Sequence, residues 1–462
     1  MTGHGRIRIR AELPFPADLP RIGHPGLGLR NLATRAGEAE PMLVTVLDTT
    51  DHRLLRAGAL LAHRISDGAG DWYLATPPWR GLDERVEPLD DEGELPAGFR
   101  EVVAPFRRLG TLGPVAALTV ERRDYVIRGE RLPDDGDTPP TTDETDEIRE
   151  IGEIGTLRDD RVTVRRSGLT MARFREVTVT IEADRMDRPL LDWLHEALRD
   201  AGGTVVAAFP SLPQRLGAPA TGPTDYPDPV ELATGQLDGL IGRWVATGLR
   251  AMISRPDGVA AAELARRLAT LTPCLERPWA DDLVTDLGWL ASLGNGCPDT
   301  DPHQPQEERA LGVVETLVQA VRAPRTAQGW PTDTDGAFTR LRQDIDDELR
   351  GAAPTAEDEG SWAIARALVA RARDLAQYAW AERVDGKRGR HRKRARRFAA
   401  LHDQLVDCVD DDLPPLLDGL AGATVAGAFE RGREYERRSM ALARRRESLV
   451  ADWDTIVDRA AA

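Results

Sequence analysis

Eight cations fill the eleven positions from Lys387 to Arg397: Lys387, Arg388, Arg390, Arg392, Lys393, Arg394, Arg396 and Arg397. Charge this dense suits one task above others, the neutralisation of closely spaced phosphates. Phe398, Leu401, Leu405 and Val409 follow at helical spacing, so the cations belong to the start of a helix. There the macrodipole opposes positive charge by about 0.3–1 kcal/mol per well-placed group. The cations are also spread all round the helix instead of sharing one face. A sequence that accepts this repulsion calls for an anion: polyphosphate, nucleic acid, or the chain's own acids at Asp410–Asp412 and in 133–150. Nucleic acid is the weaker candidate, because single strands favour interleaved aromatics and only Phe398 is present. A solvated helix face is the plain alternative.

Other chemistry-bearing groups have simpler readings. Asp48, Asp51 and His52 could serve acid–base work, but Asp48 followed by two threonines fits a turn cap better. His391 and His402 share a helical side without a cysteine or carboxylate cluster to complete a metal site. Ser-His-Asp and phosphate-loop patterns are absent. Cys274, Cys297 and Cys408 form no CxxC pair, which suggests a reduced, cytoplasmic setting and no structural zinc. No signal-like start and no long apolar run is present, so no membrane association is expected. The net charge of −16 over 462 residues argues against wholesale nucleic-acid binding. The cations are almost all arginine, Lys387 and Lys393 being the only lysines.

The elements that must position these groups fall into two halves. Strands are expected at 6–12 (an edge strand), 42–47, 58–65, 71–75, 115–128, 161–165 and 174–182, with SDGAGD as the turn of a hairpin. In FREVTVTIE, Val177, Val179 and Ile181 share one face and Thr178 and Thr180 the other. Helices are expected at Phe99–Leu109 and Pro189–Ala201, the latter with Leu190, Leu194 and Leu198 in one stripe. The acidic, Pro/Thr-rich stretch 133–150 reads as a disordered loop. A Pro/Gly/Thr-rich linker at 219–229 closes the first half. Beyond it the period is helical throughout, giving about eight helices, the last of them long and polar.

The stretch LDTTDHRLLRAGALLAHRISDGAGDWYLATP (47–77) resembles the "DTPD-RLLRAG-TLRRR-GG-W-LKLP" hairpin of the CYTH family, the triphosphate tunnel metalloenzymes. The resemblance implies an antiparallel β-barrel at 1–218, with inward carboxylates holding a divalent metal and inward cations gripping a triphosphate. Here that pattern changes. The family's Glu-x-Glu-x-Lys matches Arg8, Arg10 and Glu12; its hairpin lysine falls on Ala75; two glutamates of its last strand become Thr178 and Thr180. Arg53, Arg56, Arg64, Arg122, Asp159 and Glu182 remain as the residual tunnel set. GKRGRHRKRARRFAALHDQLVDCVDD resembles the end of CHAD domains, helical modules associated with inorganic polyphosphate, which implies an all-α bundle at 230–462. Its first repeat fits Gly258–Arg267, keeping Arg266 and Arg267. The expectation is a two-domain, non-catalytic protein with no cofactor and no metal, binding polyphosphate or another polyanion through its helical domain. A divergent metal-dependent triphosphate hydrolase and a protein–protein scaffold are the alternatives.

Overall fold

The computed structural model describes residues 5–30, 32–34, 41–89, 93–130, 151–183, 186–256, 258–293, 306–355, 358–408 and 423–462. The chain divides into two compact units, Met1–Asp225 and Tyr226–Ala462. The 133–150 and 294–305 loops, Pro414–Pro415 and Asp410–Asp412 lie outside the described residues.

The first unit is one antiparallel sheet. Its strands are β1 (Arg6–Leu13), β2 (Ala33–Thr34), β3 (Met42–Asp48), β4 (Leu60–Ser66), β5 (Ala69–Ala75), β6 (Arg85–Pro88), β7 (Gly113–Glu130), β8 (Ile151–Arg166), β9 (Leu169–Glu182) and β10 (Thr204–Val206). They pair in the order β10-β1-β9-β8-β7-β3-β4-β5-β6, with β2 added to β7. The ladder is therefore open, and among the described residues no strand pairing closes the expected barrel. Its two ends explain this: β10 has three residues, and β6 has four and ends in Pro88, which has no N–H to extend a ladder. The N-terminal strand, expected at an edge, instead lies between β10 and β9.

The β4–β5 hairpin turns on Asp67 and Gly68, both at positive φ, the two-residue geometry that suits the right-handed strand twist. Before it, the short helix α1 (Arg53–Ala57) is fixed by Asp48, whose carboxylate accepts from the N–H groups of Thr49, Leu54 and Leu55 at 2.7, 2.9 and 3.0 Å. The capping role replaces any acid–base one. Gly58 ends α1 at φ 85°, a conformation that a side chain would strain.

Each face of the sheet has its own core. On one, Ile9, Ala11, Val177, Val179, Ile181 and Leu157 pack against Leu190, Leu194 and Leu198 of α3 (Arg188–Asp200). Full burial of each leucine contributes about 1.5–3 kcal/mol. On the other, Val46, Ala116, Val120, Val162, Val164 and Phe174 meet Leu212 and Leu216 of α4 (Leu212–Leu216), with Ala220 buried beside them. Part of the expected linker is thus core, and Asp225 is buried between Arg56 at 3.1 Å and Arg108 at 2.7 Å. The helix α2 (Ala97–Arg107) buries Phe99, Val103 and Phe106.

The second unit is helical, with no strand among its described residues. It comprises α5 (Leu237–Ser254), α6 (Val259–Leu271), α7 (Arg277–Leu293), α8 (Gln306–Arg322), α9 (Thr334–Gly351), α10 (Glu359–Ala381), α11 (Arg388–Val406), α12 (Val425–Ala451) and α13 (Trp453–Ala461). The long C-terminal helix is interrupted at Asp452, where the backbone leaves helical geometry and Trp453 turns inward, its Nε1 donating to the Leu349 carbonyl at 2.9 Å.

Candidate functional sites

Strand register assembles the polar face of the sheet in rows. Glu12 stands opposite Glu176, Glu176 opposite Asp160, and Asp160 opposite Arg122. The next row along β1 and β9 is Arg10, Thr178 and Arg158; the one after is Arg8, Thr180 and Thr156. Beyond that, Arg6 faces Glu182.

Every carboxylate in the first row is held by an arginine. Arg122 grips Asp160 with two hydrogen bonds of 2.7 and 3.1 Å. Arg215, from α4, bridges Glu12 and Glu176, the latter at 3.0 Å, and its guanidinium lies 4.2 Å over the Phe174 ring. Burial pushes the Glu176 carboxyl above the ordinary carboxylate range, against the pull of Arg215 and with the help of nearby Asp160 and Glu12. The residues do not fit a divalent metal. Hard cations need several free oxygens in one place, yet here the guanidinium groups occupy them. No group of three or more His, Cys, Asp or Glu among the described residues could hold a metal ion.

The residual tunnel set is scattered. Arg53 and Arg56 lie on α1, not on a strand; Arg53 is tied to Asp51 at 2.9 Å and Arg56 to Asp225. Arg64 of β4 pairs with Asp71 through two bonds of 2.7 and 3.0 Å and stacks over Tyr73. Asp159 faces the opposite side from Asp160 and is 2% exposed. Arg175, 1% exposed, grips it at 2.7 and 2.8 Å and reaches the Ala17 carbonyl. That pair belongs to the core on the α3 side, so Asp159 is no ligand of the polar face. Only Arg122 and Glu182 of the six lie among the rows. Glu176, Asp160 and Arg215 were not in the expected set; the alternation that joined Thr178 to Thr180 also places Glu176 beside them.

In the helical unit the basic tract is where expected, at the first turns of α11, with Lys387 as its N-cap residue. Lys387, Arg388, Arg390, Arg392, Lys393 and Arg396 are exposed and Arg397 part-buried. Arg390, Arg392, Lys393, Arg396 and Arg397 have no ion-pair partner among the described residues. Arg388 and Arg392 lie 5.5 and 5.8 Å from the Trp380 ring centre, which holds the outer face in place. Arg394 is the exception. It turns inward, pairs with Asp346, donates to the Ala461 carbonyl and covers Phe398. The cations therefore do not encircle the helix; one is an internal brace.

The helix start is stabilised locally. Asp385 accepts from the Lys387 N–H and contacts His391 Nε2, both at 3.0 Å. Its carboxyl, which burial would raise, is held below the ordinary range by His391 and the Lys387 N–H. Arg266 and Arg267 sit apart on α6, engaged with Glu263. Arg266 also stands 3.6 Å from Asp374, and Arg267 lies between the rings of Trp244 and Tyr378. They are not part of the α11 surface.

No family model matches the chain, and no curated protein matches it. Among solved structures, the chain is similar to a Bacillus halodurans protein named for adenylate cyclase, at 14% identity, over 38% of this chain and 83% of that one, with a TM-score of 0.23. It is similar also to an adenylyl-cyclase-named protein of Hippeastrum described by a dominant triphosphatase activity, at 13% identity, over 45% and 93%, with a TM-score of 0.23. Likenesses this low leave the architecture to be read from the chain's own strand pairing. No described helix is long and apolar enough to cross a membrane.

Proposed function

We propose that the protein is a non-catalytic polyanion binder, with inorganic polyphosphate as the ligand class and the outer face of α11 as its surface. In this reading the first unit is a triphosphate-tunnel-like sheet that has lost its metal chemistry, and the second is CHAD-like. The observation that carries the proposal is the state of the tract. Five of its cations reach solvent without an ion-pair partner among the described residues, while of the described acids beside it Asp346 engages Arg394 and Asp385 engages His391 and Lys387. A scaffold whose tract is satisfied internally would show the reverse. The hydrolase alternative is opposed by the arginine-bound carboxylates of the sheet, so no hydrolysis of tripolyphosphate or nucleoside triphosphates is expected with Mg²⁺ or Mn²⁺.

Titration with long-chain polyphosphate tests the reading. Replacing Arg390, Lys393, Arg396 and Arg397 by Gln should weaken binding at least tenfold and leave the helix intact, because Gln is nearly as good a helix former as Arg. Unchanged affinity in that variant, or no binding by the parent, would refute it.

A further inference from the structure

One side of α12 is anchored and another is open to solvent. Arg446 and Leu449 are buried, Arg446 donating to the Cys408 carbonyl at 3.0 Å and lying over the Trp362 ring. The open side carries Ala426, Phe429, Arg433, Glu436, Met440 and Ala443, all exposed, at intervals of 3, 4, 3, 4 and 3. That alternation is the seam of a two-stranded coiled coil, in which the a and d positions of a heptad face a partner helix. On it Phe429 is 67% exposed and Met440 50% exposed. Apolar residues scattered singly over a surface are ordinary, but here they are aligned on one stripe of a helix, which marks a docking face.

The pattern of the seam indicates what covers it. About a centre between Glu434 and Tyr435, Ala426 answers Ala443, Phe429 answers Met440 and Arg433 answers Glu436. Two such helices laid antiparallel across a two-fold axis at that centre bring each residue against its counterpart in the other copy. Phe429 then packs on the Met440 thioether, and the Arg433 guanidinium meets the Glu436 carboxylate. Each contact is made twice, as an isologous interface requires. Both charges are available for this. Arg433 and Glu436 have no ion-pair partner among the described residues, whereas Glu434 between them is engaged by Arg437 and Arg438. Within its own helix Arg433 reaches only the Phe429 ring, at 6.0 Å. A parallel pairing would set Arg433 on Arg433 and Glu436 on Glu436, so like charges oppose it.

We propose that this face of α12 docks antiparallel on the same face of a second copy of the chain. Two Arg433–Glu436 pairs form the centre, with two Phe429–Met440 pairs outside them. Charged residues at the central layers set the register at a cost in stability, so the dimer forms reversibly with concentration. The surface is separate from the cations of α11 and does not depend on their ligand.

Sedimentation velocity on the full chain, without polyphosphate and over a series of concentrations, tests this. The parent should pass from monomer to dimer as concentration rises. Arg433→Glu alone, or Glu436→Arg alone, opposes like charges twice and should raise the dissociation constant about tenfold or more. Mixing the two variants should restore the dimer, because every changed residue then meets its opposite in the other copy. Both changes in one chain should restore it as well. The circular dichroism of each variant should match that of the parent, since both positions are exposed. A parent that stays monomeric throughout overturns the proposal and leaves the face to a different protein. A parent dimer that both single changes leave intact, or that mixing fails to restore, also overturns it, because the contact then lies elsewhere.

Discussion

The first row of the sheet and the first turns of α11 are both dense in charge, and they differ in how that charge is matched. On the sheet, Glu12, Glu176 and Asp160 each meet a guanidinium from Arg215 or Arg122. On α11, most cations face water; Arg394, turned inward, is matched by Asp346, and Lys387 at the helix start stands 3.7 Å from Asp385. Charge density therefore says little about ligand binding until the partners are known. Internally matched charge works as structure; unmatched charge remains available to a ligand. The same contrast separates Asp159 from Asp160. These neighbours in sequence point to opposite faces, the first sealed in the core by Arg175.

Breaking the buried match should produce the largest effect. Arg175→Ala leaves the Asp159 carboxylate without its guanidinium, a change expected to cost about 3–5 kcal/mol. Denaturant unfolding of the sheet unit measures it, and a loss below about 1 kcal/mol would show that the pair is not a brace.

The tract itself supplies the next contrast. Arg394→Gln removes charged hydrogen bonds to Asp346 and the Ala461 carbonyl and should destabilise the helical unit by about 2–3 kcal/mol. Arg396→Gln, one half-turn away and exposed, should stay within about 0.5 kcal/mol. Equal effects of the two would erase the distinction between brace and surface.

Proton linkage sharpens the comparison with a smaller signal. The folded chain holds the Glu176 proton to a higher pH than the unfolded chain, because burial raises its carboxyl. Just above the ordinary carboxylate range the native state thus binds more protons, and stability falls as pH rises through that window. Glu176→Gln should flatten this slope in unfolding curves. Asp385 has the opposite sign: its carboxyl is held low, so its contribution is present above the ordinary range and fades as pH falls. Asp385→Asn should therefore change the acid limb alone. A steeper slope after Glu176→Gln would contradict the assignment.

Much of this was legible in the sequence where periodicity alone decides. The β4–β5 hairpin, the Val177–Val179–Ile181 face, the leucine stripe of α3 and the helical second half all follow from spacing. What required three dimensions was pairing across the chain. Arg215 lies just before the Pro/Gly/Thr-rich stretch 219–229, and nothing local shows that it reaches Glu12 some 203 positions away. The inward turn of Arg394 depends on Asp346 of another helix. The open ladder depends on how short β6 and β10 are, and composition could not separate that from closure. The sidedness of Asp159 was the nearest miss, since alternation from Val162 backwards along β8 would have placed Asp160, not Asp159, on the polar face.

The central claim is that α11 presents unmatched cations to a polyanion, and salt tests it most directly. Each phosphate neutralised by a cation releases condensed counterions, so the logarithm of affinity for long-chain polyphosphate should fall linearly and steeply with the logarithm of salt concentration. In the Arg390, Lys393, Arg396 and Arg397 to Gln variant the slope should become shallower as contacts are lost, whereas Arg394→Gln should leave it unchanged wherever the protein remains folded. A parent slope near zero, or a slope that Arg394→Gln flattens as much as the four surface changes do, would contradict the account.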